Sequence, residues 1–260
     1  MPDVAKNLVA TGLTGVVHVP SSSAFRRCAP PRFLGAAALA CLVAGSPGAR
    51  AADLSPVETT WLKGAWPVIG WAKEAQLPLD LVVQPQDSPG AAPLSLAFVE
   101  GRCKLVLSMR GNPEAQAQLD RLPAGLQGPA LELMAAHELA HCRRYLDGAW
   151  TRLPAGFSSA PAPDVLAPDE KTAWLEMKAQ RREEGYADLV GLAWTKAHHP
   201  AAYAPLRAWL EKERDTDRIP GSHHDTLAWV RLVPRGDEFG GGGLFDGAMA
   251  LWSAGLAQPE

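Results

Sequence analysis

Pro129-Ala-Leu-Glu-Leu-Met-Ala-Ala-His-Glu-Leu-Ala-His-Cys-Arg-Arg-Tyr-Leu-Asp147 is the stretch on which the reading of this chain turns. Ala, Leu, Met and Glu favour a helix, and Pro129 suits its first turn. Arg143 and Arg144 fall in the last turns, where cations meet the helix dipole, and Gly148 stands just past the end. A helix is therefore predicted over 129–147. Within it, His137-Glu138-Leu139-Ala140-His141 sets two imidazoles four residues apart, a little over one turn. Both project from one face and can reach a single ion. Glu138 lies about 100° further round the axis and can approach a water on that ion without ligating it.

A second predicted helix opens at Pro168-Asp169-Glu170 and stops before Pro200, and it carries Glu183-Glu184-Gly185-Tyr186-Ala187-Asp188. Glu184 and Asp188 are again four apart and share a face. Taken alone, Glu184 reads as one more solvated charge beside Arg181, Arg182 and Glu183. Downstream of the His-Glu-x-x-His motif it reads as the third protein ligand, leaving one position for water as a catalytic zinc requires. Asp188, one turn on, is spaced to accept a hydrogen bond from a ligand imidazole and fix its tautomer. Glu183 sits about 100° off that face and is expected to be dispensable.

These residues resemble the gluzincin metallopeptidases, and among them the CAAX-prenyl-protease-like branch and the small soluble minigluzincins. Ser222-His223-His224-Asp225-Thr226-Leu227 is similar to the Ser/Thr-His-Pro segment of that branch. The resemblance implies Zn2+ held by His137, His141 and Glu184, Glu138 as catalytic acid/base, and Asp188 as the partner of a ligand histidine. It also implies His223 as the donor to the oxyanion, with Tyr186, His224 and Arg231 as alternatives and a capping or core role for His223 left open. An edge strand beside the active-site helix binds extended peptide in that family, and the segment Cys103–Met109 is the strand expected to take that part. Lys104 and Ser108 would face either the cleft or water. The four membrane helices of the prenyl proteases have no counterpart, so a prenylated substrate is not implied.

Around these motifs the elements read as an α+β, mainly helical fold with a small antiparallel sheet beside the helix over 129–147. Ser55-Pro56-Val57-Glu58 reads as a capping box opening a helix, which Gly64 and Pro67 should divide into two short ones. Extended segments follow at Leu79–Gln84, Leu94–Glu100 and Cys103–Met109, the last two as a hairpin. In the third, Cys103, Leu105, Leu107 and Met109 alternate with Lys104, Val106 and Ser108, the period of a strand with one covered face. Helices are expected again at 113–122, 200–214 and 224–233. Three regions result: an N-terminal extension and signal peptide over 1–51, a metallopeptidase domain over 52–239, and a Gly-rich break with an apolar tail over 240–260.

The 260 residues carry a formal net charge of −3 and no long Lys/Arg block, which argues against nucleic acid as a partner. Arg26, Arg27 and Arg32 precede the apolar run 33–44, a Gly/Pro break and Ala49-Arg50-Ala51, the three parts of an export signal with cleavage before Ala52. That run is shorter than the ~20 apolar residues a bilayer span needs. The mature chain is thus expected to be periplasmic or secreted, with no stable membrane span. It keeps only Cys103 and Cys142, as one disulfide or as two buried thiols.

The expected function is hydrolysis of peptide or protein substrates. Two rivals are a non-hydrolytic binding or chaperone-like protein on a gluzincin scaffold and a zinc hydrolase of non-peptide amides. His198 and His199 are expected to cap a helix end. Ser158 and Ser159 have no base near them in sequence.

Overall fold

Ser55 opens the first helix through the expected capping box: its hydroxyl accepts from the Glu58 amide at 3.2 Å, and its own amide donates to Glu58 Oε2 at 2.6 Å. The structure is a computed structural model describing residues 53–258 other than Asp87 and Asp217; the expected export signal lies outside the described residues. Helix α1 (Pro56–Glu74) runs unbroken through Gly64 and Pro67, against the expectation of two short helices. Packing explains both positions. A Cβ on Gly64 would lie 2.3 Å from Leu131 Cδ1, so this glycine allows a close helix crossing instead of a break. Pro67 costs a helix interior about 3 kcal/mol. Trp61, Val68 and Ile69 are buried on the same helix, and at roughly 1.5–3 kcal/mol for each large side chain their burial outweighs that cost.

Three strands follow, β1 (Leu79–Pro85), β2 (Leu94–Val99) and β3 (Arg102–Arg110), in the order β1-β3-β2. β2 and β3 form the expected hairpin, with Phe98 opposite Cys103. Its two loop residues, Glu100 and Gly101, have φ of 52° and 74°, as a tight hairpin turn of this length requires. β1 pairs with the other side of β3 in parallel, Leu79 opposite Cys103. The sheet is therefore mixed, not antiparallel throughout, and β3 is its central strand instead of an edge. The strand with the most complete apolar face takes the place where both edges of its backbone are covered. Lys104 and Ser108 alternate with the covered face but are engaged by the neighbouring strand: Lys104 pairs with Asp80, and Ser108, itself buried, accepts from Gln84.

The covered face of the sheet, Cys103, Leu105, Leu107 and Met109, packs against α1 and α3 (Gln127–Leu146) in one apolar cluster. α2 (Pro113–Arg121), capped by Asn112, closes one side of it. On its opposite flank α3 meets α4 (Pro168–His198), and α5 (Tyr203–Asp215), α6 (Leu227–Val230) and α7 (Leu244–Leu256) complete a second cluster around α4. Trp252 of α7 is completely buried there and donates to the Arg182 carbonyl at 2.7 Å. α3 is the wall shared by both clusters: Leu131, Ala135, Ala136 and Leu139 face one, Ala130, Leu133 and Ala140 the other. The fold is α+β and mainly helical. Among the described residues no helix is long and apolar enough to cross a membrane.

Cys103 of β3 and Cys142 of α3 are joined by a disulfide with Cα atoms 5.6 Å apart. The bridge ties the central strand to the helix that carries the histidine motif. With a sequence separation of 39, loop-closure entropy puts its contribution at about 4 kcal/mol. Replacing both cysteines by alanine should lower the stability measured by urea unfolding by about that amount; an unchanged midpoint would mean that the bridge carries no stability.

Candidate metal centre

α3 and α4 lie side by side, and each contributes its motif to their contact. His137 and His141 come from α3, Glu184 and Asp188 from α4. His137 Nε2 lies 3.3 Å from His141 Nε2, Glu184 Oε2 lies 3.2 Å from His137 Nε2, and Glu184 Oε1 lies 3.5 Å from His141 Nε2. Donor bonds of 2.0–2.1 Å in a tetrahedron give edges of about 3.3 Å between ligand atoms. The three residues therefore form a group able to hold a metal ion. Two imidazoles and a carboxylate suit zinc or another borderline transition metal better than calcium or magnesium, which take oxygen ligands.

Charges in the group are interdependent. Burial would push the Glu184 carboxyl up, but the His141 charge and hydrogen bonds from both imidazoles hold it well below the ordinary carboxylate range. Burial alone would lower His137, yet hydrogen bonds to Asp188 and Glu184 raise its pKa to about 10. Such mutual stabilisation makes a proton the occupant with which a metal ion competes. Glu138 stands beside the donors, and its pKa is raised chiefly by burial, against the lowering effect of the neighbouring histidines. No described residue hydrogen-bonds its carboxylate.

Behind the donors is a network of which the sequence predicted only part. Asp188 is completely buried and accepts from His137 Nδ1 at 3.0 Å, as its spacing implied. It also accepts from Arg214 Nε and Nη2 at 2.8 and 2.6 Å and from Thr226 Oγ1 at 2.5 Å. Arg214 stands in Glu211-Lys212-Glu213-Arg214-Asp215, a run that reads as solvated, and no sequence signal sets it apart. His141 Nδ1 is buried with no partner among the described residues, so His137 is the imidazole whose orientation the protein fixes.

Glu183 departs from expectation. It is buried and receives both 2.8 Å prongs of Arg144 and the Thr151 amide at 2.9 Å. It lies off the metal face as the helix angle required, but it is a buried, paired charge and not a solvated one.

The candidate donors separate clearly. Tyr186 is buried in the core, its hydroxyl aimed at the Phe245 carbonyl, and Arg231 is 58% exposed and paired with Glu211. His224 is near enough to Glu184, Asp188 and Arg214 to feel their charges, and His223 packs on it with ring centroids 4.1 Å apart. Their segment is pinned by Asp225, which accepts from Arg218 and the Gly221 amide and pairs with Arg181. His198 stacks on Trp194, and His199 bonds to Glu132, away from the centre.

No protein-family model, no curated protein and no solved structure matches this chain, so its function is read from the site alone.

Asp188→Asn should weaken zinc binding by roughly 10- to 100-fold in a chelator competition, because the imidazole loses its carboxylate partner. Glu183→Ala should instead lower unfolding stability by about 3–5 kcal/mol, since Arg144 is left buried and unpaired, and leave zinc affinity of the folded protein nearly unchanged. The reverse pattern, affinity lost with Glu183 and kept with Asp188, would contradict this helical register.

Proposed function

We propose that this chain is a zinc-dependent peptidase of the gluzincin type. The observation that carries the reading is the near-tetrahedral spacing of the His137, His141 and Glu184 donors, with an unbonded carboxylate, Glu138, beside them. Zinc on this donor set would polarise a carbonyl and acidify a water at neutral pH.

The protein's own groups supply the remaining chemistry. Burial lifts Glu138 above the ordinary carboxyl value, which brings it closer to the range where a carboxylate works as a general base. Glu138 takes the proton of the attacking water and returns it to the leaving amine. Asp188 holds the proton on His137 Nδ1, so the proton a metal would displace is the one on Nε2, whose lone pair then serves as the ligand. For the developing oxyanion the suitable donor is His224 in preference to His223. Desolvation and the neighbouring Arg214 and His223 charges lower the pKa of His224 to about 4, so at neutral pH it is an uncharged N–H donor.

Peptide or protein is the substrate class this set of groups serves. β2 is an edge strand and takes over the peptide-pairing role expected of the segment now seen to be central. The Cys103–Cys142 bridge supports an oxidising compartment, in keeping with an exported chain.

Glu138→Gln separates binding from chemistry. The variant should keep its zinc and its melting temperature yet lose about 10²- to 10⁴-fold in turnover of a casein or peptide substrate, because an amide cannot accept the proton. Undiminished turnover, with contaminating proteases excluded by a chelator control, would refute the base role.

A further inference from the structure

A three-ring stack stands beside His141. Phe98, near the end of β2, lies on Tyr145 of α3 with centroids 5.1 Å apart and planes 7° from parallel. Tyr145 lies on Trp150 at 4.2 Å and 11°. Trp150 in turn meets the His141 ring edge to face, at 5.4 Å and 79°. The stack thus begins at a donor of the metal centre and runs out to the edge strand.

These rings differ from the aromatic residues of the core. Trp61, Trp194, Trp229 and Trp252 are all buried, and each donates its indole N–H to a protein oxygen. Phe98, Tyr145 and Trp150 are only partly buried. Neither the Tyr145 hydroxyl nor the Trp150 indole N–H bonds to any described residue. Phe98 still packs against the core cluster, but each of the three rings keeps part of its apolar surface exposed.

Trp150 is also held where it is at a cost. The next residue, Thr151, has φ 59°, a conformation that β-branched residues rarely adopt and that persists only where the surroundings impose it. Here a buried ion pair imposes it. Glu183 accepts from the Thr151 amide at 2.9 Å, and its partner Arg144 donates to the Arg152 carbonyl at 2.8 Å. Two buried charges that neutralise each other grip the backbone immediately after Trp150 and keep its ring against His141.

We propose that the Phe98–Tyr145–Trp150 stack is the wall of a substrate subsite for a large apolar side chain, preferably aromatic, next to the bond presented to the metal centre. The proposal rests on the peptidase reading above. Ring-on-ring contact adds to simple burial and favours flat side chains. Arg144 is already paired with Glu183 and Arg143 with Asp147, so neither of these cations offers a free charge to an acidic side chain at the wall.

The test uses zinc-loaded protein and two ligands that chelate through the same group, phenylalanine hydroxamate and glycine hydroxamate, titrated by calorimetry. Wild type should bind the phenylalanine compound about tenfold tighter or more, the worth of one buried, stacked ring. Trp150→Ala should bring the two affinities to within about twofold without changing that of glycine hydroxamate. Trp150→Phe, which keeps a ring in place, should retain part of the preference and guards against a misfolded alanine variant. Equal binding of both ligands by wild type, or a preference undiminished in Trp150→Ala, overturns the subsite. Failure of both hydroxamates to bind overturns the metal-centre reading instead, and the subsite with it.

Discussion

The completely buried carboxylate of Asp188 is the constraint on which the rest of the structure depends. An ionised carboxylate out of water costs several kcal/mol unless its lone pairs are met, and here they are met from three directions. Arg214 comes from α5, His137 from α3 and Thr226 from the residue before α6, all converging on α4. Burial alone would raise the Asp188 pKa, but the Arg214 charge and the hydrogen bonds from His137 and Arg214 keep it well below the ordinary range. Removing any one donor leaves the others around an incompletely paired charge. The same bond that satisfies Asp188 turns His137 Nε2 toward Glu184, so fold and site share one interaction.

Helix α3 makes the convergence rigid. It is packed on both flanks, against α1 and the sheet on one side and α4 on the other, and the disulfide ties it to the central strand. Close approach continues on α4, where a Cβ on Gly185 would lie 2.5 Å from the Trp229 ring. Any larger residue there would push α6 off α4 directly behind Glu184. Donors carried on elements this well packed keep their spacing without a metal to organise them.

What the sequence made legible was whatever depends on local periodicity. Four-residue spacing put His137 with His141 and Glu184 with Asp188; the capping box fixed the start of α1; period two identified the covered face of β3. What it hid depends on contacts between distant segments. Gly64 and Pro67 look like breakers until Leu131 is seen against α1. β3 takes the centre because β1 returns to it in parallel, and a pairing across some twenty residues leaves no local trace. Arg214 and Glu183 both stand in charged runs that read as solvated faces, and only the approach of another helix buries them. The choice between His223 and His224 is a matter of which ring feels the Glu184, Asp188 and Arg214 charges, which adjacent positions in a loop do not reveal.

Equilibrium zinc binding to the purified mature chain tests most directly whether α3 and α4 together build one metal centre. Wild type is expected to hold one zinc per chain, and His137→Ala, His141→Ala and Glu184→Ala are each expected to lose it while the disulfide-linked fold persists. Full zinc occupancy in any of the three variants, or none in the wild type, would contradict the assignment.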